Sequence, residues 1–215
     1  MDDAKTIIAR RAAKELHDGD IVNLGIGLPT MLTAFLDPSL DITLQSENGI
    51  LGMGSEEKEN PNPDVINAGG AYVNVLPHAN FFDSATSFGI IRGGHVDITV
   101  LGALQVDQEG SLASHIVPGK LVPGMGGAMD LVAGAKKVIV VTTHTAKGAP
   151  KLLKKCALPL TAYNKVNRVI TELAVIDCTK EGFVLRERHS STTIEQIQSL
   201  TEATLIIPET VGIFD

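Results

Sequence analysis

A chain of 215 residues that is 44% hydrophobic can bury one sizeable core, which argues against disorder and points to a single domain over residues 1–215. Its formal charge of −7 excludes the broad basic face that general nucleic-acid binding needs, and 4% aromatic content without tryptophan excludes a base-stacking platform. Two cysteines, Cys156 and Cys178, lack metal spacing and read as reduced structural thiols.

Met1 to His17 carries Asp2, Asp3, Lys5, Arg10, Arg11, Lys14 and Glu15, so the apolar centre of a secretory leader is missing and the mature chain is expected to start here. Ala4, Ile8, Ala12 and Leu16 recur at helical spacing and predict an amphipathic first helix ending at Asp18-Gly19. Asp20 to Gly27 predicts a buried strand entering a glycine turn, and Leu28-Pro29-Thr30 opens a helical stretch to about Leu36. Further strands are expected at 41–45, 65–67, 73–76, 96–101, 138–142 and 169–176, with shorter ones near 183–185 and 205–207. Helices are expected at 84–91, 128–135 and 193–200, the last opening with a capping box at Thr192-x-x-Glu195. Glu56 to Pro63 reads as a solvated loop stiffened by Pro61 and Pro63. Apolar strands alternating with helices predict an open α/β sheet whose strands are covered on both faces. No apolar run approaches the ~20 residues that span a bilayer, so a cytoplasmic location without membrane contact is expected.

Many of the 21 glycines fall where a strand ends: Gly25-x-Gly27, Gly93-Gly94 and Gly124-Met-Gly-Gly127. In an open α/β sheet such turns let a ligand approach the main chain. Neither a dinucleotide fingerprint nor a Walker motif is present: Gly25-Ile-Gly27-Leu-Pro-Thr30 lacks the third glycine, and Gly124 to Asp130 lacks Gly-Lys-Ser/Thr. The six histidines form no ligand pairs, so no metal site is expected, and no Gly-x-Ser-x-Gly elbow occurs. Lys147, Lys151, Lys154 and Lys155 form a basic cluster, read either as a solvated helix face or as attraction for an anionic ligand. Ser46-Glu47-Asn48-Gly49 puts one carboxylate at a strand tip, beside a strong turn signal. The plain reading of Glu47 is a helix start with its charge on the positive end of the dipole. Elimination of the other motifs leaves it as the strongest nucleophile candidate.

Taken in order, Asp20-Ile-Val-Asn-Leu-Gly-Ile-Gly-Leu-Pro-Thr30, Gln45-Ser-Glu-Asn-Gly-Ile-Leu-Gly52, Ile91-Arg-Gly-Gly-His-Val-Asp97, Pro118-Gly-Lys120, Gly124-Met-Gly-Gly-Ala-Met-Asp-Leu131 and Leu158-Pro-Leu-Thr161 resemble the β subunit of the 3-oxoacid CoA-transferases. The resemblance extends to about Leu200 and is to the acetate, acetoacetate or butyrate branch. It implies an α/β fold with an open, mostly parallel sheet and helices on both faces. It also implies ping-pong transfer of coenzyme A between short-chain carboxylic acids, with Glu47 as the nucleophile that becomes a glutamyl-CoA thioester. The Gly127 amide matches one oxyanion donor, with Gly126 its neighbour in the motif; the other donor in the family is an Asn side chain of a partner α subunit. Asn48, Gly49, Gly126 and Lys120 are the candidate substrate contacts. No cofactor is implied, coenzyme A being a substrate, and the expected assembly is a heterodimer or heterotetramer with the α subunit. The chain departs from many relatives at Ala113-Ser114-His115 and at Thr143. Two other readings stay open: an acyl-CoA hydrolase with Glu47 activating water, and a non-catalytic binding or regulatory subunit.

Overall fold

A computed structural model describes residues 3–120 and 122–215, so the expected start at Met1 lies outside the described residues. The first helix, α1 (Ala4–Ala13), is capped by Asp3, whose carboxylate accepts the Thr6 amide at 2.8 Å. It buries Ile8, Ala9 and Ala12 at helical spacing. Strand β1 (Ile21–Leu24) leads through the glycine turn into Leu28–Phe35, which is a 3₁₀ helix where an ordinary helical stretch was expected. The hydroxyls of Thr30 and Thr33 donate to the carbonyls of Gly27 and Thr30, three residues back, and favour the tighter winding.

Strands β2 (Thr43–Ser46), β3 (Ile50–Glu56) and β4 (Val73–Phe81) follow, then α2 (Ser84–Arg92), capped by Asp83, and β5 (Ile98–Gly102). Next come β6 (Gln105–Asp107), β7 (Leu112–Ala113), α3 (Ala128–Gly134) and β8 (Lys137–Val141). Short strands β9 (Thr145–Ala146), β10 (Ala149–Pro150) and β11 (Leu152–Leu153) precede β12 (Arg168–Ile170), β13 (Ala174–Thr179) and β14 (Gly182–His189). Helix α4 (Ile194–Ser199) and β15 (Gly212–Phe214) end the order.

The main sheet has ten strands in the order β15-β14-β13-β12-β8-β5-β1-β2-β3-β4. Its middle, β12-β8-β5-β1-β2, is parallel throughout, and antiparallel strands extend it on both sides. Alternation along β8 explains why such strands read as continuous apolar runs. Val138 and Val140 join a core with Ile91 of α2, Leu131 of α3 and Ile197 of α4. Ile139 and Val141 join the opposite core with Ile8 of α1 and Leu32 of the 3₁₀ helix. The fold is α/β, with helices on both faces of a mostly parallel sheet, as expected.

An ionic cluster ties α1 to the sheet. The buried Glu15 carboxylate accepts from Arg11 at 2.9 Å, Lys137 at 2.8 Å and Arg168 at 2.7 Å.

Several expectations need correction. The strand expected at 169–176 is two antiparallel strands, β12 and β13, because Thr171 turns the chain: its Oγ1 accepts the amides of Leu173 and Ala174 at 3.1 and 3.0 Å. The segments at 65–67 and 205–207 make only isolated bridges, Ile66 to Tyr72 and Ile206 to Val184. The capping box of α4 is formed by Thr193 and Gln196, one residue later than expected, since the Thr192 hydroxyl donates to the His189 carbonyl at 2.9 Å. The lysine cluster lies on no helix. It spans the β9-β10 ribbon and β11, and the half-buried Lys151 ammonium donates to Thr142 Oγ1 at 2.8 Å. Burial lowers the Lys151 pKa against the opposing pull of Glu172.

Candidate active site

β2 ends at Ser46, and a turn rather than a helix follows, so the plain reading of Glu47 as a helix start does not hold. The Gly49 amide closes this turn onto the Ser46 carbonyl at 3.0 Å. Gly49 has φ +117°, and a side chain there would collide with the carbonyl of Phe82. The turn is held from outside by the Asn48 Nδ2 bond to the Ile66 carbonyl, 2.7 Å, and by the Ala68 amide donating to Ser46 Oγ, 3.0 Å. These contacts fix the point from which Glu47 projects.

Glu47 enters a cavity of about 340 Å³, walled by Gly25 and Ile26 after β1, by residues 101–104 at the end of β5, by Ser114 and by residues 124–128. The cavity therefore opens at the carboxyl ends of parallel strands, the usual ligand position in such sheets. Glu47 is the sole titratable side chain among its described lining residues.

The two carboxylate oxygens differ in environment. Oε2 accepts a hydrogen bond from Asn23 Nδ2 at 3.1 Å. Oε1 faces Gly127, the cap residue before α3: a β-carbon built on Gly127 would lie 3.1 Å from Glu47 Cγ and 3.2 Å from Oε1. Only glycine leaves Glu47 this room. Gly126, at φ +57°, precedes it and also lines the cavity. A carboxylate held by one oxygen and open at the other can attack an electrophile in the cavity.

The predicted residues thus separate into two groups. Glu47, Gly126 and Gly127 come together in the cavity. Asn48 and Gly49 build the turn behind Glu47, and Lys120 is exposed in a turn closed by its own amide on Val117; none of these three lines the cavity.

Sequence reasoning missed Asn23 and Gln45. They face each other in the β1-β2 register and are each 1% exposed. Asn23 Nδ2 donates to Gln45 Oε1 at 2.7 Å, and Gln45 Nε2 donates to the buried Ser87 Oγ of α2 at 3.1 Å. The available signal was a carboxamide inside the apolar run Ile21-Val-Asn-Leu24. Ser114, one of the departures noted above, also lines the cavity, with its hydroxyl 2.7 Å from Thr161 Oγ1 and 3.3 Å from His115 Nδ1. The other departure, Thr143, donates to the Thr145 carbonyl at 2.9 Å.

His144 and the two cysteines lie outside the cavity lining. Buried His144 lies between Thr171 Oγ1 at 2.9 Å and Thr201 Oγ1 at 2.8 Å, and burial pushes its pKa down to about 4. Cys156 and Cys178 are free thiols, the former pushed up to about 12 by burial and by Asp107, the latter raised by burial and by Asp177. Among the described residues no group of three or more His, Cys, Asp or Glu could hold a metal ion. No described helix is long and apolar enough to cross a membrane.

Comparison with known proteins gives consistent matches. A family model described as coenzyme A transferase matches residues 5–200. Acetate CoA-transferase subunit beta of Haemophilus influenzae is 56% identical over 207 residues, which cover 96% of this chain and 93% of that protein. Acetate CoA-transferase subunit beta of Escherichia coli K12 is 54% identical, covering 94% and 93%. Among solved structures, the acyl-CoA transferase YdiF apoenzyme of Escherichia coli O157:H7 superposes with a TM-score of 0.80 at 26% identity. That match covers 99% of this chain and 43% of YdiF, so the chain spans less than half of that longer protein.

Proposed function

Since this chain belongs to the coenzyme A transferase family, as a β subunit, we propose that its Glu47 carries coenzyme A as a glutamyl thioester between two short-chain carboxylic acids. The observation that carries the proposal is the Glu47 carboxylate, the lone one among the described residues that line the cavity, with Oε1 set against Gly127. The proposed acids are of the acetate, acetoacetate and butyrate class; the names of the two β-subunit relatives support the acetate member.

In this mechanism the Glu47 carboxylate adds to the thioester carbonyl of an acyl-CoA. The C–S bond breaks, giving a mixed anhydride and coenzyme A thiolate. The thiolate then adds to Cδ of Glu47 and expels the acyl group as a free carboxylate, leaving the glutamyl thioester. An incoming carboxylate runs the same steps in reverse. A thioester is exchanged for a thioester, so the bond energy is retained without a cofactor or an added energy source. The Gly127 amide is the proposed oxyanion donor in this chain, and an α subunit supplies the second. Gly126 is the proposed contact beside the acyl group, while Asn48 and Gly49 serve it through the turn that presents Glu47. Lys120, exposed outside the cavity, is the proposed partner for the anionic remote part of coenzyme A, whose binding supplies energy used at the reacting carbon. The proposed location is the cytoplasm.

The test is chemical trapping. The complex with its α subunit, incubated with acetoacetyl-CoA and then treated with borohydride or hydroxylamine, should show modification at Glu47 by peptide mass analysis. Glu47→Ala should abolish transfer, and Glu47→Asp should lower it by about 10²-fold because the shortened arm misplaces the nucleophile. An unmodified Glu47 in an active complex refutes the proposal. Release of coenzyme A without acceptor acid, faster than transfer, would mark water activation instead.

A further inference from the structure

We propose that Asn23 is a second oxyanion donor supplied by this same chain, serving the tetrahedral intermediate centred on Glu47 itself. The inference rests on the reading of Glu47 as the covalent carrier. It starts from the inequivalence of the two carboxylate oxygens: Oε2 accepts from Asn23 Nδ2 at 3.1 Å, while Oε1 faces Gly127 and the cavity.

Oε1 is then the atom that forms the anhydride, and Oε2 becomes the carbonyl oxygen on Cδ. When coenzyme A thiolate adds to Cδ, the C–S bond forms and the C–O π pair moves onto Oε2. Collapse of this intermediate restores the Cδ–Oε2 carbonyl and breaks the bond from Cδ to Oε1, which departs with the acyl group as a carboxylate. The negative charge therefore develops on the oxygen that Asn23 already touches. A donor fixed at that oxygen before the reaction stabilises the charge without reorganisation.

The structure holds the Asn23 carboxamide in the donating orientation. Its Nδ2 lies 3.2 Å from the Gln45 carbonyl and 3.1 Å from Glu47 Oε2, two groups that can only accept, and 2.7 Å from Gln45 Oε1. Rotating the amide by half a turn would set its oxygen against the Gln45 backbone carbonyl and the Glu47 carboxylate, neither of which can donate. Two N–H hydrogens serve three acceptors within 3.2 Å, the third being the Gln45 carbonyl, so the bond to Oε2 has room to tighten as charge builds. The same arrangement leaves Asn23 Oδ1 buried with no hydrogen-bond partner. Such an oxygen costs stability that an aliphatic side chain in β1 would not. A polar group kept at that cost, aimed at the reacting carboxylate, points to a catalytic role.

The test uses the complex with the α subunit, acetoacetyl-CoA as probe, and intact-mass detection of the coenzyme A adduct on this chain in a single turnover. Asn23→Ala should slow adduct formation by about 10²-fold, with KM for the acyl-CoA changed less than about threefold. Asn23→Asp keeps the size but replaces the donor by a carboxylate, and should lose at least as much; it carries the same readout where Asn23→Ala does not assemble. Adduct formation at the wild-type rate in either assembled variant, or a loss confined to KM, overturns the role of Asn23. Absence of the adduct in the wild-type complex overturns instead the carrier role of Glu47.

Discussion

The contact between Gly127 and Glu47 can be tested by adding one carbon. Gly127 has φ −81° and ψ 2°, a conformation open to alanine, so Gly127→Ala adds bulk without left-handed strain. The new methyl would stand 3.1 Å from Glu47 Cγ, 3.2 Å from Oε1 and 3.4 Å from Cδ. Ordinary carbon contacts lie at about 3.5–4.0 Å, so Glu47 must retreat by roughly 0.5 Å. A misplacement of about 1 Å costs about 10²-fold, and half of it should slow thioester formation on the order of tenfold. The cost in stability is smaller: alanine is a poorer helix cap than glycine by about 0.5–1 kcal/mol, or about 1–4 °C in Tm for a chain of this size. The assay pairs the single-turnover rate of the Glu47 adduct with Tm from calorimetry. An unchanged adduct rate would refute the claim that Gly127 sets the position of the nucleophile. A fall in Tm beyond about 10 °C would show that the methyl disrupts packing instead.

Gly49→Ala should do the reverse of Gly127→Ala. The residue is at φ +117° with the Phe82 carbonyl in the way, so the fold itself should lose more than about 2 kcal/mol, read as a lower urea midpoint. Two groups should make the chain acid-labile in successive windows that overlap near pH 4, measurable by urea unfolding between pH 7.5 and 2. Burial lowers the His144 pKa from 6.5 to about 4, so between those values the unfolded chain takes up a proton that the folded chain refuses. Stability therefore falls as pH drops through that window, and His144→Gln should flatten the fall. Burial alone would raise the Glu15 pKa, but the Lys137 hydrogen bond and the Arg168 charge more than offset it and take it from 4.5 to about 2. That stabilisation is complete above pH 4.5 and is lost as pH falls toward 2, on the order of 3 kcal/mol in all. A pH-independent urea midpoint across both windows would refute these assignments.

Apolar continuity and capping residues made most of the architecture legible before any coordinates. Helices α2, α3 and α4 lie within a residue or two of the expected spans, and β1, β5 and β8 lie where buried runs were read. Errors arose where a local signal has two outcomes. The apolar residues of 168–176 do not reveal a reversal that depends on the Thr171 hydroxyl capping amides two and three residues on. The lysine stretch 147–155 has charge but no helical packing face, and its chain pairs into a ribbon and a short strand instead.

For the site, Glu47 and its turn could be read from Ser46-Glu-Asn-Gly49, and Gly126 and Gly127 from the resemblance of ordered motifs. Those residues are local in sequence, and their turn chemistry is set by neighbouring φ values. What only the tertiary structure decided is which groups surround the carboxylate. Parallel strands β1 and β2 must pair in the observed register before Asn23 stands opposite Gln45, and α2 must pack on the sheet before Ser87 meets Gln45. The first turn of α3 must reach the strand ends before Gly127 meets Glu47. Such contacts join residues far apart in the chain, and no periodicity or spacing encodes them. They follow from the packing of whole elements, and they distinguish the two oxygens of one glutamate.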